Sequence, residues 1–294
     1  MFYRRKVILG LIELLGGEVE KLRFQKLLFL YATKKQNPEY DFVPYKYGCY
    51  SYSAKADMNT MVRKGFLTET ENKYKKIDTS NYLQKLKPVD RGLLQQVVAD
   101  YGAMSSRALI KHTYLNFPFY AIKSTIAKDL LPGKLYAYVA RAVPKETETT
   151  LFTIGYEGIS LEKYLQKLVK NNVKLLVDVR KNPLSMKFGF SKTLLQRYCN
   201  SLDIEYVHIP QVGIDSDKRQ QLVTQADYDR LFAEYRKTTL TETAESQQQI
   251  VKLLRKYKRI ALTCFEAEPC QCHRTHLAEA ILQTQYFNYP LKHL

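Results

Sequence analysis

The chain has no tryptophan and only five cysteines among its 294 residues. Five is an odd number, and Cys264, Cys270 and Cys272 fall in one short stretch. That is not the even, spaced framework of a disulfide-stapled secreted domain, so a reducing, cytoplasmic setting is expected. There is also no apolar run of the roughly 18 residues that a membrane-spanning helix needs, so no membrane partner is expected. The N-terminal stretch MFYRRKVILGLIELLGGEVE places basic residues before an apolar run, but no small-residue cleavage site follows and Glu13 interrupts it. It reads as an amphipathic helix, not a signal peptide. No zinc-finger spacing, RNA-binding aromatic signature, internal repeat or low-complexity tract is present. A phosphatase loop of the Cys-x5-Arg type is absent as well. Cys270 stands six residues after Cys264, and Ala278 six after Cys272.

What the chain does have is positive charge. The formal net charge is +17, and lysines and arginines outnumber acidic residues on both sides of residue 148. Twenty-three tyrosines add stacking and hydrogen-bonding surface. A basic, tyrosine-rich protein suits a polyanionic partner, with nucleic acid the expected class and DNA the expected member.

The first half reads as mainly helical. Helical spacing covers Arg4 to Leu15, ended by Gly16-Gly17, then Leu22 to Ala32, then Tyr52 to Lys64. Phe42 to Tyr50 is extended and broken at Gly48. Phe66 to Ile77 alternates as a hairpin does. Helix, helix and hairpin is a winged-helix order. Further helices are expected over Asp90–Tyr101 and Ser105–Tyr114, with Ser105 as N-cap. The polar segment Val143–Thr150 reads as a linker. The expected domains are therefore residues 1–146 and 151–294.

The second half alternates strand and helix. Strands are expected at Leu151–Gly155, Lys174–Val179, Ile204–Ile209 and Arg259–Thr263. Helices are expected at Ser160–Lys170, Ser191–Ser201, Gln225–Lys237, Glu245–Lys256 and Thr275–Gln285. This rhythm implies an α/β domain with a parallel sheet covered on both faces. In such sheets, sites form beyond the carboxyl ends of the strands. Three strands end in chemistry-bearing loops: Gly155-Tyr156-Glu157-Gly158, Asp178-Val179-Arg180 with its following loop to Ser185, and Cys264 to Arg274.

These loops supply the candidate site. Asp178, Glu266, Cys264, Cys272 and His273 are candidate catalytic groups. Thr153, Gly155, Tyr156, Arg180, Ser185, Tyr206 and Arg274 are candidate substrate contacts. A helix dipole near Cys264 favours a thiolate. Arg180 and Arg274 could clamp a phosphate in fork geometry, or Arg180 could form an ion pair with Asp178 that holds a loop. No cofactor is expected. Zinc or iron at Cys264, Cys270, Cys272 and His273 is the alternative, although Cys-x-Cys-His is no standard finger spacing.

Three ordered runs carry a family resemblance in the second half. They are Thr153-Ile154-Gly155-Tyr156, Asp178-Val179-Arg180-Lys181-Asn182-Pro183-Leu184-Ser185, and Thr263-Cys264-Phe265-Glu266 followed by Cys272-His273-Arg274. With them the C-terminal half resembles the family called domain of unknown function 488, which implies a Rossmann-like α/β domain. Where that family continues from its Tyr-x-His strand into a Leu-Gly-Gly step, this chain has Pro210-Gln211-Val212-Gly213-Ile214-Asp215 after Tyr206 and His208. In the first half, Lys21 to Tyr31 and Phe42 to Leu67 are similar to the Panacea antitoxin-like domain, with Cys49 after Tyr47-Gly48 where a proline is common. That similarity implies a module that recognises a partner.

The expected function is an enzyme, a hydrolase or lyase, acting on a base or nucleotide of nucleic acid in genome defence or repair. The alternatives are a partner-binding component of a toxin–antitoxin or anti-phage system, and a thiol or sulfur-transfer enzyme.

Overall fold

The computed structural model describes residues 1–219, 222–283 and 289–294. It divides into two compact units, Met1–Val143 and Pro144–Leu294.

In the first unit, α1 (Tyr3–Leu14) leads through β1 (Glu18–Glu20) into α2 (Lys21–Thr33). A hairpin of β2 (Val43–Tyr45) and β3 (Gly48–Tyr50) follows, then α3 (Tyr52–Arg63) and a second hairpin of β4 (Leu67–Glu69) and β5 (Lys73–Lys76). Strand β1 adds to that second hairpin, giving the antiparallel order β1-β5-β4. The expected order of helices followed by a hairpin is present, with an additional hairpin, β2–β3, between α2 and α3. Strand β1 has no counterpart in the sequence expectation. It is three residues long and buries one side chain, Val19, so it lacks any alternation to read. The α3 start was legible: the Ser51 hydroxyl accepts from the Ala54 amide at 3.2 Å. Helices α4 (Pro88–Tyr101), α5 (Ser106–Asn116), α6 (Ala127–Leu130) and α7 (Lys134–Ala142) complete the unit. Its core is built from α1 and α2, where Val7, Ile8, Leu9, Leu11, Ile12, Leu27 and Leu28 are fully buried.

The second unit alternates as expected. Strands β6 (Thr150–Gly155), β7 (Leu175–Asp178), β8 (Glu205–His208), β9 (Arg259–Cys264) and β10 (Leu291–His293) form one sheet in the order β10-β6-β9-β7-β8. Every neighbouring pair is parallel. Helices α8 (Leu161–Lys170) and α9 (Lys192–Asn200) follow β6 and β7. Then α10 (Gln225–Lys237), α11 (Thr239–Glu242) and α12 (Ala244–Tyr257) lead into β9, and α13 (His273–Leu282) follows it. The edge strand β10 is again too short to have been read from periodicity. The expected end of the last helix, Gln285, lies outside the described residues.

Strands β6 and β9 are buried along all six residues, as sheets covered on both faces require. One face packs Leu151, Val177, Ile260 and Leu262 against Phe232, Ile250, Leu254 and Leu277 from α10, α12 and α13. On the other, the Tyr164 hydroxyl of α8 donates to Thr263 Oγ1 at 2.7 Å. Strand β9 lies between β6 and β7, but its following helix covers the opposite face from theirs. The loops therefore part around the end of β9, where a crevice opens.

Candidate functional site

That crevice is a cavity of about 250 Å³, lined by Tyr156 after β6, Arg180, Lys181, Asn182, Leu184 and Ser185 after β7, Ile214 after β8, and Cys264 and Phe265 at the end of β9. Side chains alternate across a strand, so the two polar clusters beneath it face opposite ways. In register, Asp178 lies opposite Thr263, one residue before Cys264.

The first cluster is an ion pair. Asp178 Oδ1 accepts from Arg180 Nε at 2.8 Å, and Oδ2 from Arg180 Nη2 at 2.5 Å and the Tyr206 hydroxyl at 2.6 Å. Arg180 Nη1 donates to the Tyr156 hydroxyl at 2.8 Å and to the Phe190 carbonyl at 2.9 Å. Four of the five guanidinium N–H groups are thus committed inside the protein. Burial alone would lower the Arg180 value, but the hydrogen bond and charge of Asp178 outweigh it and hold the group above its ordinary range. Burial, then the Asp178 charge, pushes the Tyr206 hydroxyl well up. The Tyr156 ring stacks on buried Phe190 with centroids 4.2 Å apart, so Phe190 is core and Tyr156 presents only part of its surface.

The second cluster lies behind Cys264. His273 Nε2 is 3.1 Å from the Val179 carbonyl, which can only accept. Nε2 therefore carries the proton, and in the neutral ring Nδ1 offers its lone pair to Cys264 Sγ at 3.6 Å and Cys272 Sγ at 4.0 Å. All three residues are buried, and their ligand atoms lie within 4.8 Å of one another. Burial, with Cys264 adding to it, pushes the Cys272 thiol well above its usual value. Glu266 sits beside them, its Oε2 accepting from Cys264 Sγ at 3.1 Å. Cys270 is exposed and stands outside the trio, so the four-residue metal set suggested by the sequence reduces to three.

Helix α13 begins at His273, two residues earlier than Thr275. A short turn opened by Pro269 and an extended Cys272 bring the chain into the helix sooner. His273 and Arg274 consequently sit in its buried first turn. Arg274 donates through its terminal nitrogens to the Glu266 carbonyl at 2.5 Å and the Ala267 carbonyl at 2.9 Å. It holds the β9 loop and does not line the cavity. The two arginines therefore do not meet as a fork. Gly155 makes this loop path possible: a Cβ there would come 1.8 Å from the Glu266 carbonyl oxygen. The single glycine of the β8 loop has a similar reason, since a Cβ on Gly213 would meet the Lys181 amide nitrogen at 2.3 Å.

Of the expected site residues, Tyr156, Arg180, Ser185 and Cys264 line the cavity. Asp178 and Tyr206 stand behind Arg180, and Cys272 and His273 behind Cys264. Thr153 lies deeper in the sheet, its hydroxyl 2.7 Å from His293 Nδ1 of β10. Lys181, Asn182, Leu184, Ile214 and Phe265 complete the lining and were not singled out from sequence. Lys181 and Asn182 belong to a run that was noticed. Phe265 lies in the Thr263-Cys264-Phe265-Glu266 run and Ile214 in the stretch after His208, but as apolar residues neither suggests a chemical role.

Residues 160–281 match the family described as Domain of unknown function DUF488. The match runs from the start of α8 into the last turn of α13. It includes the loop after β7 and the whole Cys264–Arg274 segment, and begins just past Tyr156. This is the family that the C-terminal motifs resemble. No curated protein matches the chain.

Proposed function

We propose that this protein is a nucleic-acid-binding enzyme, with DNA as the polyanion, whose second unit carries out hydrolytic chemistry on a base or nucleotide in the carboxyl-edge cavity. The observation that carries the reading is the composition of that cavity. It joins a basic and polar wall, Arg180, Lys181, Asn182 and Ser185, to the thiol of Cys264 in about 250 Å³. That volume suits a base or nucleoside-sized group. Lys181 is exposed and supplies a positive charge that, among the described residues, is not taken up by an ion pair of the Asp178–Arg180 kind. Glu266, beside Cys264, is the candidate for proton transfer. The +17 charge and the winged-helix order of the first unit support duplex binding.

Titration of the full chain with a fluorescent DNA duplex across a salt series tests the binding. The affinity should fall with a slope of about −0.9 in log–log form for each phosphate neutralised. Weak binding that ignores salt removes the reading. Lys181→Ala should slow turnover and leave duplex affinity nearly unchanged. A second reading, recognition of a protein partner, is favoured by an apolar cavity of about 270 Å³ in the stretch that resembles the Panacea domain, lined by Leu22, Tyr45, Tyr47 and Tyr50 among others. A stoichiometric protein and no nucleic acid on purification from the native host would support it.

A further inference from the structure

We propose that Cys264, Cys272 and His273 bind a zinc-class divalent ion through two thiolates and one imidazole, leaving a fourth position for water. Four observations support it. First, the three ligand atoms converge: Cys264 Sγ and Cys272 Sγ lie 3.6 and 4.0 Å from His273 Nδ1, and all three atoms lie within 4.8 Å of one another. Tetrahedral zinc, with bonds of about 2.3 Å to sulfur and 2.0 Å to nitrogen, sets such atoms about 3.6 Å apart, so the two sulfur–nitrogen distances are already close to those of a site. Second, the histidine is already in the ligating tautomer. Its Nε2 proton faces the Val179 carbonyl at 3.1 Å, the backing that a metal-bound imidazole usually has. Third, the ligands sit on buried regular structure. Cys264 ends a buried strand, while Cys272 and His273 open a buried helix. Fourth, the donor set is soft and mixed, which favours zinc over magnesium or calcium.

Three protein ligands with one open position is the arrangement of catalytic zinc sites, whereas structural sites are closed by four. Cys264 also lines the carboxyl-edge cavity, which puts the metal site directly behind its wall. Binding replaces two S–H protons by two metal–sulfur bonds, and both protons leave to solvent. Water in the fourth position gives up a proton more easily than bulk water does. Glu266, whose Oε2 is 3.1 Å from Cys264 Sγ, is placed to accept it. The ion would supply the nucleophile for the function proposed above, but the site rests on its own geometry.

The test uses the full chain and metal ions alone. Purified under reducing conditions, then stripped and titrated with Co²⁺, wild type should take up one ion. It should show visible d–d bands of tetrahedral cobalt and an ultraviolet thiolate-to-cobalt band, and Zn²⁺ should displace both. Cys272→Ser should weaken Co²⁺ binding at least about 100-fold. Cys270→Ser should bind as wild type does, because Cys270 is exposed and outside the trio. If Cys272→Ser fails to fold, wild type decides: Zn²⁺ added to the stripped protein in weak buffer should release about two protons per ion bound, and uptake without proton release overturns the site. Absence of the cobalt bands in wild type overturns the proposal, as does a Cys272→Ser variant that binds normally. Metal uptake with no DNA binding leaves this site standing and removes the reading above; the reverse result removes only the site.

Discussion

Asp178–Arg180 and Cys264–Cys272–His273 are neighbours in strand register, yet the two clusters are finished differently. In the first, a fully buried carboxylate meets a buried guanidinium, and Tyr206, Tyr156 and the Phe190 carbonyl take up further hydrogen-bonding capacity. Charge and hydrogen bonds close within the protein. In the second, three soft donors converge on one another, and the imidazole is oriented from behind by a backbone carbonyl. Burial of polar groups is common to both and so does not by itself mark function. A cluster that compensates itself holds a loop, whereas one whose donors share a common centre is suited to a ligand.

The comparison makes Arg180→Ala the most damaging single change. It leaves Asp178 as an uncompensated buried charge, at a cost of about 3–5 kcal/mol in urea unfolding. The double variant Asp178→Asn with Arg180→Met should recover much of that loss, because it removes both charges. If Arg180→Ala unfolds at the wild-type midpoint, the pair is not structural and the contrast fails.

A smaller effect sharpens the contrast from the other cluster. Gly155→Ala forces the Glu266 carbonyl to move, since the added Cβ would lie 1.8 Å from its oxygen. The expected cost is about 1–3 kcal/mol in thermal or urea unfolding. The change should also disturb Cys264 and Glu266, so Co²⁺ affinity should fall with it. Unchanged stability and metal binding would mean that the β9 loop takes another path.

The mildest test moves to the first unit, where Lys26 is buried and donates to the Cys49 carbonyl at 2.9 Å, with no carboxylate bonded to it among the described residues. Burial lowers its pKa below the ordinary lysine value. Between that lowered value and the unfolded value of about 10.4, the unfolded chain binds more protons, so wild-type stability should rise with pH by up to about 1.4 kcal/mol per unit. Lys26→Met should lack this contribution, seen as a stability difference between the two proteins that changes with pH through that window. A constant difference would contradict it. Such a pH-dependent term is not expected for Arg180, which its ion pair keeps charged throughout.

The sequence made the alternation of the second unit legible because long buried strands and amphipathic helices carry strong periods. It also placed the three loops on one edge. Short elements escaped: β1 and β10 have three residues each, too few to show a pattern. In the site, residue types were readable but most partners were not. The Asp178–Arg180 ion pair is one of the two readings the sequence offers for Arg180, and it is the one found; nothing in the text says that the same arginine also engages Tyr156, 24 residues earlier. Likewise, the two-residue shift in the start of α13 decides that Arg274 binds loop carbonyls. That shift depends on how Pro269 and Cys272 turn the chain, and it is set by packing.

The proposed chemistry requires that a nucleotide be converted in the carboxyl-edge cavity. The most direct measurement is single-turnover conversion of end-labelled DNA by wild type and Glu266→Gln, with duplex affinity measured on the same preparations. Wild type should give product, and Glu266→Gln should give it at least about 100-fold more slowly at unchanged affinity. Equal rates in the two proteins, or salt-dependent binding by wild type with the DNA left intact, would contradict the claim.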